Sequence, residues 1–255
     1  LSLKGFDTII HLANVANDPA VELNPTMSWE INVLAGHQLI EKAIKENVKH
    51  FIFASSGSVY GIKKEEKVTE DLPLVPISTY NKTKMIAERV FISYSNKIKF
   101  HSIRPATVCG LSPRMRLDVA VNLLTFQAIT KGKITVLGGK QIRPNIHIDD
   151  ICNVYLHLIS NYQQIESGFY NAGFENISIL EIAKIIKSKI NCEIEIKDSN
   201  DPRSYRQDSS KLIETGFKPT KNVSIAIDEI IQSFNSGQLS DKAQWHTVKW
   251  MRENN

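Results

Sequence analysis

Two short apolar, β-branched runs on either side of an amphipathic stretch restrict the fold of this chain more than any other feature. Thr8-Ile9-Ile10-His11-Leu12-Ala13 ends in polar turn residues, the pattern of a buried parallel strand, and His50-Phe51-Ile52-Phe53-Ala54-Ser55 repeats it. Between them, from about Thr26 to Glu46, Trp29, Val33, Leu39, Ile40, Ala43 and Ile44 recur at roughly helical spacing, while Glu41, Lys42, Lys45 and Glu46 take the other face. Strand, helix, strand in that order closes as a right-handed crossover between parallel strands. The expected class is α/β, a doubly wound, Rossmann-like parallel sheet, and such sheets bind ligands beyond the carboxyl ends of their strands.

The pattern continues through a charged, proline-containing loop from Gly61 to Pro76. A helix then runs from Ser78 or Thr79, plausible N-caps, to about Ser95, and a third strand covers Lys99 to Pro105. Beyond Gly110 the rhythm changes to helices over Asp118–Thr130, Ile148–Ser160 and Ile179–Lys189, with strands at Lys133–Leu137 and Glu193–Lys197. No Gly/Ser linker or internal repeat intervenes. The expected division is a first domain over residues 1–110 and a smaller α/β domain over 111–255 that packs on the first as a lid and mainly holds substrate.

With 255 residues, 42% of them hydrophobic and 23% charged, the chain can enclose a buried site and is no disordered tail. Its formal charge of +4 is spread without a Lys/Arg block, which fits a small phosphorylated ligand and argues against nucleic acid. Cys109, Cys152 and Cys192 are far apart, with no CxxC and no histidine at zinc-ligand spacing. They read as reduced, packed thiols, and no metal is expected. There is no stretch of about 18 apolar residues, and Leu1-Ser2-Leu3-Lys4-Gly5 lacks the features of a signal peptide, so the expectation is a cytoplasmic protein without membrane attachment.

Tyr80-Asn81-Lys82-Thr83-Lys84 sets a phenol and an ammonium four residues apart, on one face of a helix. A cation beside a tyrosine favours phenolate, which could then remove a proton from a substrate hydroxyl. Tyr60 and Lys64 share the spacing but sit in a loop, and read as a chance match. Ser55 and Ser56 stand just past the second strand, where a sheet of this type binds its ligand. His11 and His147 read as packed histidines satisfied by backbone, and Asp149 and Asp150 as helix caps.

Taken together, strand-Ser-Ser-x-x-Val-Tyr-Gly followed about twenty residues later by Tyr-x-x-x-Lys resembles the extended short-chain dehydrogenase/reductase family, the nucleotide-sugar epimerases and dehydratases. The resemblance runs from about residue 7 to 234. It implies a catalytic set of Ser56, Tyr80 and Lys84, and NAD held by Leu12, Ala13, Asn32, Ser55, Tyr80, Lys84 and Pro105. NADP stays open. It further implies that a nucleotide-diphosphate sugar is held by Ser56, Thr107, Asn122, Arg143, Arg203 and Arg206, arginine being suited to grip phosphate bidentately. It also implies a homodimer built on the helices at 26–46 and 78–95.

One departure is large. The family opens with Gly-x-x-Gly-x-x-Gly, and that spacing occurs nowhere among the twelve glycines. The expectation is that the chain starts at the family's fourth strand, lacking roughly sixty residues, with an exposed sheet edge as a consequence. Members that eliminate water carry an Asp-Glu pair after the catalytic hydroxyl; this chain has Gly57 and Ser58. The resemblance therefore implies epimerisation through a transient keto sugar first. An NAD(P)H-dependent reductase is the alternative, and a non-catalytic binder of dinucleotide or a partner the reading from another class.

Overall fold

The computed structural model describes residues 2–199 and 204–254. In chain order the first half comprises β1 (Thr8–His11), α1 (Asp18–Val21), α2 (Pro25–Trp29), a π-helical turn (Glu30–Leu34), α3 (Ala35–Lys45), β2 (His50–Ala54), a 3-10 turn (Gly57–Tyr60), α4 (Thr79–Ile92), β3 (Lys99–Pro105) and β4 (Thr107–Cys109). The second half adds α5 (Ala120–Lys131), β5 (Lys133–Leu137), β6 (Ile142–His147), α6 (Ile148–Asn161), β7 (Gly168–Ala172), β8 (Glu175–Ser178), α7 (Ile179–Lys189), β9 (Glu193–Lys197), α8 (Ser210–Glu214), α9 (Val223–Asn235), a 3-10 turn (Ala243–Trp245) and α10 (Thr247–Asn254).

The main sheet is parallel with order β1-β2-β3-β7, and all four strands deliver their carboxyl ends to one edge of the molecule. Its fourth strand comes from residues 168–172, so the chain crosses the expected division at Gly110 and returns to the first layer. Phe51, Phe53, Phe91 and Phe100 pack against Ile40 and Ala87 on one face of this sheet. On the other, Ile52 and Ile103 meet Val154, Leu158, Tyr170 and Leu212, which welds α6 and α8 to the first layer. Burial of such side chains stabilises by about 1.5–3 kcal/mol each. Two smaller sheets, β4-β6-β8 and β5-β9, with α5, α7 and α9, form the second lobe around Ile134, Val136, Ile182, Ile186 and Ile227. The outer edge of the main sheet is β1, where Ile10 and Leu12 are exposed. No helix among the described residues is long and apolar enough to cross a membrane.

Several sequence expectations need correction. Cys152 is exposed rather than packed, while Cys109 and Cys192 are buried. His147 is satisfied by a side chain as well as backbone: Nε2 lies 3.0 Å from Glu229 Oε2, and Nδ1 accepts from Asp149 N to cap α6. Asp150, fully buried, caps nothing on its own helix; its carboxylate accepts from Thr220 N, Thr220 Oγ1 and Lys221 N, tying α6 to the segment before α9. Asp149 pairs with Lys221. His11 Nε2 is buried without a partner among the described residues.

At the far end of the main sheet His50 and His101 form a buried pair, Nε2 to Nδ1 at 2.7 Å. His101 Nε2 lies 3.3 Å from the Ile165 carbonyl, which can only accept, so His101 donates there and takes the His50 proton on Nδ1. Both rings are neutral. Burial is the main cause, and it pulls His50 down to about 3 and His101 to about 4 from 6.5. Because the folded values are depressed, their contribution is complete above pH 6.5 and is lost as pH falls from there through about 4. We expect the unfolding free energy to fall across that window, by up to about 1.4 kcal/mol per pH unit for each histidine, the midpoint to drop with it, and the acid slope to flatten in His50→Phe. An unchanged midpoint between about pH 7 and 5 removes this account.

Candidate active site

β2 runs straight into the site. Ser55 and Ser56 follow its last residue, and the chain then tightens into the 3-10 turn, with Ser58 N donating to Ser56 Oγ at 3.2 Å. Gly61 closes the turn at φ 71°, where a Cβ would lie 2.0 Å from the Val75 carbonyl oxygen; only glycine fits there. The next helix, α4, starts at Ser78, whose Oγ accepts from Asn81 N at 3.2 Å. Ser78 also donates to Asp18.

Tyr80 and Lys84 project from the same face of α4 toward the end of β2. Lys84, 2% exposed, donates from Nζ to the Ala54 carbonyl at 2.7 Å and lies 4.7 Å over the Phe53 ring. Burial lowers its pKa to about 7, with Glu88 pulling the other way. The Tyr80 pKa rises to about 12, chiefly through burial; a hydrogen bond with Ser56 opposes this, Asp18 adds to it and Arg116 counters it. Lys84 Nζ is 6.0 Å from the Tyr80 ring centroid. Desolvation thus outweighs the charges around the phenol, and the cation that opposes it is Arg116.

Ser55, Ser56, Tyr80, Pro105, Thr107 and Arg143 line one cavity of about 530 Å³ between the carboxyl edge of the main sheet and the second lobe. The sequence reading therefore placed catalytic, cofactor and substrate candidates on a common wall. It missed Arg116, in the loop before α5, which lines the same space and pairs with Asp118 at 3.0 Å. It also missed Val248 on α10, which lines the cavity and packs in the same apolar cluster as Val15, Val21 and Tyr80. An arginine in an irregular loop and a valine far along the chain carry no spacing signal.

The remaining expected site residues lie off the cavity wall or bond within the chain. Asn32, held at the centre of the π turn and 1% exposed, accepts from Val15 N at 2.7 Å and donates to Val15 O and Thr83 Oγ1, both at 3.1 Å. Its amide is consumed in clamping the loop after β1 to α4. Asn122 is likewise spent on backbone, accepting from Gly110 N at 3.0 Å and donating to Arg116 O at 3.0 Å and Gly110 O. Leu12 and Ala13 are exposed and do not border the cavity; Ala16 to Pro19 do. Arg206 points to solvent because its segment is extended, Val68 bridging to Gln207, so side chains alternate: Tyr205 lines the cavity and Gln207 is buried. Arg203 lies outside the described residues.

The model of the NAD dependent epimerase/dehydratase family matches residues 1–173. The UDP-glucose 4-epimerase of Lactobacillus helveticus is 28% identical over 238 residues, 84% of this chain and 72% of that protein. The enzyme of the same name from Streptococcus mutans is 28% identical over 240 residues, 84% and 71%. Among solved structures, a UDP-glucuronic acid 4-epimerase from Bacillus cereus in complex with UDP-glucuronic acid and NAD superposes with a TM-score of 0.78, at 28% identity over 89% of this chain and 76% of that one. A UDP-N-acetylglucosamine 4-epimerase from Methanobrevibacter ruminantium shares the fold, with a TM-score of 0.83 at 24% identity over 92% and 78%. With more than half its length matched by that model, and with its Ser, Tyr and Lys gathered at the carboxyl edge of a parallel sheet, the chain belongs to the NAD dependent epimerase/dehydratase family.

Proposed function

We propose that this protein interconverts epimeric nucleotide sugars, of the UDP-sugar class, with NAD as a hydride carrier that is not consumed. The observation that carries the reading is the convergence of Ser56 and Tyr80 with Arg143 and Arg116 on one cavity. Tyr80 takes the proton of the sugar hydroxyl as it becomes a ketone and returns it on reduction, while Ser56 bonds the same oxygen. Arg143 grips the diphosphate. Bound NAD would supply the hydride acceptor and donor for this exchange. The residues present fit its nicotinamide-ribose end: Lys84 is pinned beside β2, and the buried Ser55 Oγ has no partner among the described residues. The names of the relatives support the substrate class.

Dehydration is disfavoured by residue type, since neither Gly57 nor Ser58 is a carboxylate. A Cβ at Gly57 would lie 3.2 Å from Pro105 O, Gln207 Nε2 and Tyr205 Oη, a tight fit that a larger side chain could take only if these neighbours gave way. The homodimer belongs to this reading, with Trp29, Leu34 and Ile86 exposed on the helices expected to form it. The experiment is product analysis with NAD and a panel of UDP-, GDP-, CDP- and dTDP-sugars, alongside sedimentation at micromolar concentration. The expected result is an epimer pair with no net cofactor consumption, from a dimer. Stoichiometric NAD(P)H use replaces the epimerase with a reductase, loss of water overturns the reading of Gly57 and Ser58, nucleotide binding without turnover makes the protein a binder, and a monomer removes the dimer.

A further inference from the structure

From Ser56 a hydrogen-bond chain runs away from the cavity into α4. Ser58 Oγ is 2.7 Å from Ser56 Oγ and 2.6 Å from Asn81 Oδ1, and Asn81 is completely buried with Nδ2 lacking a partner among the described residues. Each serine has a single proton to give. With Oδ1 facing Ser58, Ser58 donates to the amide and so accepts from Ser56, which, with Ser58 N already donating to Ser56 Oγ, leaves Ser56 one lone pair and no proton for the cavity. Half a turn of the amide about its last bond reverses every step. Nδ2 then donates to Ser58, Ser58 to Ser56, and Ser56 offers its proton to the cavity. That second setting also gives the buried N–H an acceptor, and an orphaned donor is the costlier of the two possible orphans.

We propose that Asn81, acting through Ser58, sets the direction of the Ser56 hydroxyl, so that Ser56 presents a proton to the keto sugar and can present a lone pair to the alcohol. This rests on the epimerase reading, in which one oxygen alternates between hydroxyl and carbonyl. A carbonyl oxygen only accepts, so a Ser56 turned to its lone pairs would oppose the intermediate. Asparagine suits the task because its amide carries a donor and an acceptor at equivalent positions, whereas a carboxylate can only accept. Asn81 is a positioning residue: it works on the substrate oxygen through two hydroxyls. Ser58 is the link, in the place where the resembling dehydratases have a carboxylate.

The test is Asn81→Asp, nearly isosteric; the helix start favours the acid while complete burial opposes its charge, so the thermal midpoint is measured alongside the two functional readouts. Turnover is followed from about pH 6 to 10, because burial raises the introduced carboxyl above its ordinary value of about 3.9, and the chain is locked with Ser56 as acceptor only once that carboxyl has ionised. Two readouts are compared: turnover of the epimer pair, and calorimetric affinity of the NAD-loaded protein for UDP and for a UDP-4-deoxy-4-fluoro-sugar, whose fluorine can only accept. Asn81→Asp is expected to lower kcat by about 10–100-fold with little change in KM, and to weaken the fluoro analogue several-fold while UDP binds as before. Asn81→Ala, which unlocks the chain, falls less. Adding Ser58→Ala to Asn81→Asp cuts the link and returns both readouts to those of Ser58→Ala alone. If the double variant stays as impaired as Asn81→Asp, the carboxylate acts through space on Tyr80, where Asp18, Arg116 and Lys84 already act or lie close, and the proposal is overturned. Equal losses for Asn81→Asp and Asn81→Ala overturn it too. A wild-type protein that binds neither UDP nor the analogue rejects the nucleotide-sugar reading, and the relay with it.

Discussion

Tyr80→Phe is expected to lower turnover by roughly 10²–10⁴-fold, the usual loss on removing a general acid/base, while the unfolding midpoint and UDP affinity stay close to wild type. The substitution deletes one oxygen that faces the cavity and bonds Ser56, and leaves the ring in its apolar cluster with Val15, Val21 and Val248. Tyr60→Phe makes the contrast, because Tyr60 heads the other Tyr-x-x-x-Lys pair. Its hydroxyl is buried, donates to Asn171 Oδ1 at 2.9 Å and accepts from Arg104 Nη1 at 2.7 Å, while Lys64 is exposed. Its loss leaves one Arg104 N–H without its acceptor inside the core, while Asn171 Oδ1 keeps the bond from Gln207 Nε2 at 2.9 Å, at a cost of about 1–3 kcal/mol. Tyr60→Phe should therefore appear in urea unfolding and far less in rate. Near-normal turnover in Tyr80→Phe, in a preparation whose wild type is active, would remove the chemistry from α4.

What could be read from the sequence follows from which signals are local. Lys99–Pro105, Lys133–Leu137, Ile179–Lys189 and Glu193–Lys197 have the expected bounds, because each is a clean run of one periodicity ended by turn residues. β6 was not legible: Pro144 interrupts it, and its antiparallel partner β8 is four residues long and 33 positions further on, counting from Ile142 to Glu175. The return of Gly168–Ala172 to the main sheet is a long-range pairing, which no local window contains. The meeting of Ser56 and Tyr80 at one cavity, with Lys84 on the strand end beside them, was legible because strand end and helix face fix where side chains point. Arg206 was not, since in an extended segment a shift of one residue turns the side chain to the opposite face. The amides of Asn32 and Asn122 turned to backbone groups, and in Asn32 also to the Thr83 hydroxyl, that only the assembled fold brings near.

The largest stability effect is expected at the far end of α4. Tyr80, Lys84 and Glu88 form an i, i+4, i+8 stripe, and Glu88 anchors it to β3: Arg104 donates from Nε and Nη2 to the two Glu88 oxygens at 2.9 and 2.8 Å, with the side chains 0% and 3% exposed. The guanidinium lies 4.9 Å from the Tyr60 ring and 4.7 Å from Phe169. Burial acts against the Arg104 charge, but the bonds and charge of Glu88 more than offset it, so its pKa is raised. Such a pair adds little over a well-packed apolar substitute, yet removing one partner strands the other's charge. Glu88→Gln keeps the shape, loses the countercharge, and is expected to destabilise by about 3–5 kcal/mol. Replacing both partners with apolar residues of matching volume should recover much of that loss, since no charge is then stranded. Urea unfolding of the two variants decides it. If Glu88→Gln costs under about 1 kcal/mol, water reaches the guanidinium, and the stripe that aims Tyr80 and Lys84 must be held by its apolar face and the Asn32 clamp on Thr83 instead.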